Sequence, residues 1–238
     1  MLNILKKNIN LAVFFVLFAL IVSLSAFSYA QYVSNNISLD DNTQPFSDVP
    51  VNSYAYEPIH RLRRMGVTTG IGRNRFGYGR TITRGEFISM LVDLLGCGGE
   101  TPLHGSFSDN TDPDKFYFGP IEAALENGII TNEPDVFRPN DPVTRQEAVI
   151  MIVNSFGYGE LAARLDYLGA PFEDVTEYTG HITIARDFGI IDGAPVFDPY
   201  GEMKREEAAY MLVRMLDVIE NKISELNAFY AISSSSQS

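Results

Sequence analysis

Apolar residues fall at helical spacing in several stretches that share the same flanking residues. Ala55, Ile59, Leu62 and Met65 recur every three or four positions, which predicts an amphipathic helix. Pro58 fits only near the start of that helix, where a missing N–H costs nothing. Gly66 ends it, because glycine adopts the left-handed cap readily. Pro120 and Gly128 bracket the corresponding stretch further on, and His181 and Gly189 bracket a third. A second, clearer stripe follows each of these. Phe87, Met90, Leu91 and Leu94 form the first, Ala148, Met151, Ile152 and Ser155 the next, and Ala208, Met211, Leu212 and Met215 the last. The loop between the two stripes is rich in Gly, Pro, Asn and Asp. It carries Phe76, Phe137 or Phe197, each expected to pin its loop to the core.

These marks recur in one order, about 60 residues apart, so the chain is an internal threefold repeat. Phe46-Ser47-Asp48-Val49 aligns with Phe107-Ser108-Asp109-Asn110 and Phe172-Glu173-Asp174-Val175. Arg84-Gly85-Glu86 aligns with Arg145-Gln146-Glu147 and Arg205-Glu206-Glu207. Repeats are expected at 46–99, 105–157 and 171–220, with a linker at 158–170 that contains a short amphipathic stretch, Leu161, Leu165 and Leu168, and a tail at 221–238 that starts helical and frays at its serine run. A unit of about 50 residues buries too little surface to stand alone. Three second-helix stripes can bury one another, so the expected fold is one compact all-α domain around a central three-helix bundle.

Ahead of the repeats, Lys6 and Lys7 precede an almost wholly apolar run from Leu11 to Phe27, and Ser28-Tyr29-Ala30 supplies small residues at the proper spacing. That order describes a secretory signal peptide over 1–30, cut after Ala30, followed by a linker at 31–45. The alternative is an uncleaved membrane anchor, for which the apolar run is short. Leu94-Leu95-Gly96-Cys97 has the look of a lipid-attachment box but lies far from this segment, so Cys97 reads as a plain thiol at a helix end.

Composition narrows the function. There are 18 Lys plus Arg against 30 Asp plus Glu, a net charge of −12, with one Cys, three His and no Trp. One Cys excludes an internal disulfide, and one Cys with three scattered His argues against a Cys/His zinc site, so no metal and no cofactor are expected. A net acidic chain is a poor nucleic-acid binder. Charge is unevenly spread, however: repeat one is net +3, repeat two −6 and repeat three −7. Arg61, Arg63, Arg64, Arg73, Arg75 and Arg80 crowd the first repeat. A groove there suits an anionic ligand, or else the basic face docks on the acidic repeats.

The repeated landmarks resemble the S-layer homology domain. They are the Phe46-Ser47-Asp48-Val49 opening, Gly128-Ile129-Ile130, Phe137-Arg138-Pro139 and Thr144-Arg145-Gln146-Glu147. The resemblance spans about 46–219. It implies three repeats in a pseudo-threefold arrangement. It also implies non-covalent attachment to secondary cell-wall polysaccharide, often carrying pyruvate ketals, or to a peptidoglycan-linked glycan. The family's grooves lie between repeats and use the motif arginine, a role that passes to Arg84, Arg145 and Arg205. This chain departs from the family in lacking Trp, in Lys204 at the third capping position, and in Phe76-Gly77-Tyr78 where a proline loop is usual.

The residues permit two readings of each motif. Thr83 with Glu86 and Thr144 with Glu147 are capping boxes. An arginine in the first turn faces the positive end of the helix dipole, so a partner must offset it. That partner is either a bound carboxylate or phosphate, which would also meet free helix N–H groups, or an aspartate such as Asp48, Asp109 or Asp174, which could also orient the arginine beside a sugar. Tyr54, Tyr56, Phe116 and Tyr117 could stack on a sugar ring or belong to the core. Catalysis has little support: Glu86 and Glu147 are explained as caps, His60, His104 and His181 face no recognised nucleophile, and no Gly-rich phosphate loop follows a strand. The expected function is therefore a secreted, non-enzymatic wall-binding protein. The alternative is a structural envelope protein that uses its repeats to bind another protein.

Overall fold

The computed structural model describes residues 43–235, apart from Ala170 and Ala194. The expected signal peptide, its cleavage after Ala30 and the rival anchor lie outside the described residues. Contacts divide the chain into a compact unit, Leu39–Val218, and a second unit that includes Ile219–Ser238.

The described residues form seven α-helices: α1 Tyr56–Arg64, α2 Arg84–Leu95, α3 Phe118–Glu126, α4 Arg145–Ser155, α5 Gly159–Leu165, α6 Thr179–Asp187 and α7 Arg205–Ser235. Each repeat is helix, loop, helix, as the stripes predict. The first helices α1, α3 and α6 end at Gly66, Gly128 and Gly189, all at positive φ. The second helices begin as their sequences require. Thr83 and Thr144 accept from the N–H groups of Glu86 and Glu147, whose carboxylates take the Thr N–H in return. In repeat three Lys204 has no such side chain, and half the box remains: Lys204 N–H donates to Glu207 Oε2 at 2.7 Å.

Three backbone hydrogen bonds close the repeats on one another. Ile82 N–H donates to Met203 O at 3.0 Å, Met203 N–H to Val143 O at 3.0 Å, and Val143 N–H to Ile82 O at 3.1 Å. All three residues are fully buried. The ring lies just before the second helices, whose stripes are buried: Phe87, Leu91, Ala148, Ile152, Ala208 and Leu212 are inaccessible to solvent. Burying each large apolar side chain contributes about 1.5–3 kcal/mol. The first turns of the second helices lean on the next repeat. Arg84 N–H donates to Asp141 O, Arg145 N–H to Gly201 O and Arg205 N–H to Arg80 O, at 2.9, 3.0 and 2.8 Å. Donors that a helix start leaves open are satisfied across the repeat boundary.

The opening aspartates hold the loops. Asp48 accepts from the N–H groups of Phe76, Gly77 and Tyr78 at 2.7, 2.8 and 3.1 Å. Asp109 accepts from Phe137 and Arg138, and Asp174 from Phe197 and Asp198. Phe46, Phe107 and Phe172 pack on Phe76, Phe137 and Phe197, with centroids 5.7, 5.8 and 5.4 Å apart.

Two segments carry more helix than expected. The linker, expected to hold only a short amphipathic stretch, folds into α5 and a 3-10 turn, Asp166–Leu168. Asp166 Oδ1 accepts from Gly180 N–H at 2.8 Å, which docks the insertion on the start of α6. The tail starts helical as expected and continues α7 to Ser235, into the serine run expected to fray; residues beyond Asn221 such as Lys222 and Glu225 are helix formers.

Candidate functional site

Each motif arginine sits at the first position of a second helix, and each crosses to the motif glutamate of the next repeat. Arg84 Nη1 lies 2.6 Å from Glu147 Oε1, Arg145 Nη2 lies 3.1 Å from Glu207 Oε1, and Arg205 Nη1 lies 3.5 Å from Glu86 Oε1. The three pairs run in one sense around the pseudo-threefold axis. Each glutamate therefore caps its own helix and also meets the arginine of its neighbour. This corrects two expectations. The arginines pair with glutamates rather than with Asp48, Asp109 and Asp174, whose carboxylates are committed to loop backbone. The amides of the arginines at the helix starts are not free for a ligand, since loop carbonyls already occupy them.

The three arginines are not equivalent. Arg84 is buried and well matched: its Nε donates to Phe137 O at 2.7 Å and its guanidinium lies 4.7 Å from the Phe137 ring centroid. Burial lowers its pKa against the pull of Glu147. Burial pushes the Glu147 carboxyl upward, yet the Thr144 N–H and Arg84 outweigh it and hold the carboxyl below its ordinary range. Arg205 is also buried, and burial lowers its pKa against Glu86. Its Nε and Nη1 make no hydrogen bond, and Glu86 is shared with Arg80. Arg145 is the most open of the three, its side chain 26% exposed.

A cleft of about 520 Å³ opens at Arg145. One wall is the repeat-three loop with Ile191, Asp192, Val196 and Asp198, the floor is Glu207, Tyr210 and Met211 of α7, and Tyr54 arrives from repeat one. Tyr54 is 56% exposed and meets Tyr210 edge to face, with centroids 5.3 Å apart and planes at 82°. Burial, with Glu207 and Glu206 close by, pushes the Tyr54 hydroxyl up to about 12.

The other expected site residues take different places. Tyr117 is buried and packs over Gly85, so it offers no face to a sugar. Phe116 is exposed and lies edge-on to Tyr117. Tyr56 stacks near His60, 4.2 Å away. Asp48, Asp109 and Asp174 are loop anchors, bonded to backbone N–H groups of their own repeats. Burial opposes ionisation of Asp48, but the N–H groups of Phe76, Gly77 and Tyr78 outweigh it and hold the carboxyl below its usual range. Two of the seven arginines of repeat one pair with other repeats, Arg61 with Asp217 at 2.6 Å and Arg84 with Glu147, while Arg75 and Arg80 meet Asp48 and Glu86 of their own repeat. The residues that sequence reasoning missed are Tyr210 and Asp192. Tyr210 stands three positions after Glu207, hence on the same helix face, which was the available signal. Among the described residues no group of His, Cys, Asp and Glu is placed to hold a metal ion, and no helix is long and apolar enough to cross a membrane.

Comparison with known proteins places this architecture. Residues 45–88 and 107–149 match the S-layer homology domain. The chain is 29% identical over 202 residues to an amylopullulanase of Thermoanaerobacterium thermosulfurigenes, a match covering 82% of this chain and 10% of that protein. It is 30% identical over 182 residues to the exoglucanase XynX of Acetivibrio thermocellus, covering 74% of this chain and 16% of that one. It is 32% identical over 123 residues to a surface layer protein of Brevibacillus choshinensis, covering 50% and 11%. The chain thus spans a small part of each of these three relatives, two of which are named as enzymes and one as a surface protein.

Proposed function

We propose, from the premise that this chain is an S-layer homology domain protein, that it is secreted and anchors at the cell surface by non-covalent binding of a wall glycan. The glycan is secondary cell-wall polysaccharide or a peptidoglycan-linked polymer, and the chain carries out no covalent chemistry on it. The Arg145 cleft carries this reading: it joins an accessible guanidinium, an aromatic corner and several carboxylates in one concavity. Carboxylates of Asp192, Asp198 and Glu207 accept from sugar hydroxyls. Arg145, the cation among them, takes an acidic substituent such as a pyruvate ketal in charge-assisted hydrogen bonds. Arg84 and Arg205 are more deeply buried and serve mainly to join repeats.

The test is sedimentation with purified walls, before and after chemical removal of pyruvate groups. Binding should fall at least tenfold on ketal removal and on Arg145→Ala, with Arg145→Lys intermediate because a point charge replaces a planar fork. Undiminished binding after ketal removal would sink the ketal assignment. Undiminished binding by Arg145→Ala would sink the cleft assignment. Retention by a protein component of the envelope, with none by glycan, would favour assembly instead.

A further inference from the structure

The three junctions between repeats share their motif residues but not the side chains around them. Three positions after each motif glutamate stand Ser89 in repeat one, Ile150 in repeat two and Tyr210 in repeat three. Two positions before each first helix stand Tyr54, Phe116 and Glu177. A pair of aromatic rings therefore meets in one cleft, where Tyr54 of repeat one crosses to Tyr210 of repeat three. None of these positions belongs to the repeated motif, so the motif alone does not distinguish the clefts.

We propose that Tyr210, with Tyr54 set at right angles to it, is the platform on which a pyranose ring of the wall glycan stacks, and that this pair makes the Arg145 cleft, rather than the junctions at Arg84 and Arg205, the glycan site. The proposal rests on the glycan-binding reading above. Two flat faces at 82° form a corner that matches the apolar C–H face of a pyranose. Ser89 has no ring, and Ile150 has no flat face. Tyr210 is held in place before any ligand arrives: Arg214 Nη1 donates to the Tyr210 hydroxyl at 2.8 Å and to Asp192 Oδ1 at 2.6 Å. Little rotamer freedom is left to lose on binding, which favours affinity. The Tyr54 hydroxyl stays protonated well above neutral pH and donates to a ring substituent, while Arg145 lines the same cleft and meets the acidic group. Arg214 is a positioning residue in this arrangement.

Wall polysaccharide released from purified walls is the probe, titrated calorimetrically against the full chain. Tyr210→Leu, which keeps an apolar side chain of similar reach without a flat face, should weaken binding at least tenfold. Tyr210→Phe should stay within about threefold, and Phe116→Ala should leave binding unchanged. Because the chain has no Trp, its near-ultraviolet band comes from its 12 tyrosines, and the part of a glycan-induced change that is lost in Tyr210→Leu belongs to that ring. Glycan should perturb that band in the wild type and much less in Tyr210→Leu. Arg214→Gln should weaken binding less than Tyr210→Leu, with a smaller band shift than the wild type. Wild-type affinity in Tyr210→Leu, with binding lost in Arg145→Ala, would overturn the platform and leave the anchoring reading intact. Absence of glycan binding by the wild-type chain would overturn both.

Discussion

At the scale of single residues, chemistry at a motif position depends on what the neighbouring repeat supplies. Arg84, Arg145 and Arg205 occupy one sequence position yet differ in exposure and hydrogen bonding. The loop aspartates Asp48, Asp109 and Asp174 behave alike, because each bonds backbone in its own repeat. His60 illustrates a residue whose charge state follows from geometry. Its Nδ1 donates to Tyr56 O at 2.8 Å and its Nε2 accepts from Phe46 N–H at 3.1 Å, which requires the neutral ring. Burial lowers its pKa from 6.5; the Tyr56 carbonyl and Glu57 act to raise it, while Arg63 and Arg64 lower it further. Since the folded pKa lies below the unfolded one, the stabilisation is complete above 6.5 and is lost as pH falls through the folded value. His60→Gln keeps an acceptor that does not titrate. Between pH 7 and pH 5 the wild-type melting temperature should fall further than that of His60→Gln, the difference isolating His60 from His181, whose pKa burial also lowers. Equal falls would remove His60 as the cause.

At the scale of elements, helix starts and stops were legible because they are local. A capping threonine and its glutamate lie three positions apart, and the terminating glycines directly follow their helices. The insertion at α5 was less legible, since seven residues are too few for a decisive periodicity. Its docking instead depends on close approach. A Cβ at Gly180 would lie 1.9 Å from Ala162 O, so α5 touches α6 where no side chain fits. Gly180→Ala should cost about 2 kcal/mol or more despite its better helix propensity, read as a lowered denaturant midpoint. A change below about 0.5 kcal/mol would show that the α5 contact yields easily. Tyr117 shows the same dependence on a neighbour. Gly85 leaves room for its ring, with Tyr117 Cδ1 2.9 Å from a Cβ placed there, so a candidate stacking residue becomes core.

At the scale of the molecule, three backbone bonds among Ile82, Val143 and Met203 and three Arg–Glu pairs make the repeats one cooperative unit. The pairs differ in quality, and stability should reflect it. Arg84→Met removes a 2.6 Å pair and the bond to Phe137 O, and should cost about 2–3 kcal/mol, softened because Arg138 still meets Glu147 at 2.7 Å. Arg205→Met replaces a buried guanidinium whose Nε and Nη1 make no hydrogen bond, and should be neutral within about 1 kcal/mol or stabilising. Urea denaturation measures both, and equal losses would contradict the ranking.

The residue order alone determined the three repeats, their helices and caps, and the likeness to S-layer homology domains, because periodicity, capping and glycine termination act over three or four residues. It left open whether the arginines met a ligand or an aspartate, and which cleft was accessible. Those outcomes depend on partners in other repeats, far away along the chain, whose motif glutamates are interchangeable in sequence. Only packing assigned Glu147 to Arg84, Glu207 to Arg145 and Glu86 to Arg205, buried Tyr117, and brought Tyr54 against Tyr210. The physical reason is that a cleft built between repeats takes its walls from side chains outside the repeated motif, and their meeting is set by how the three units close.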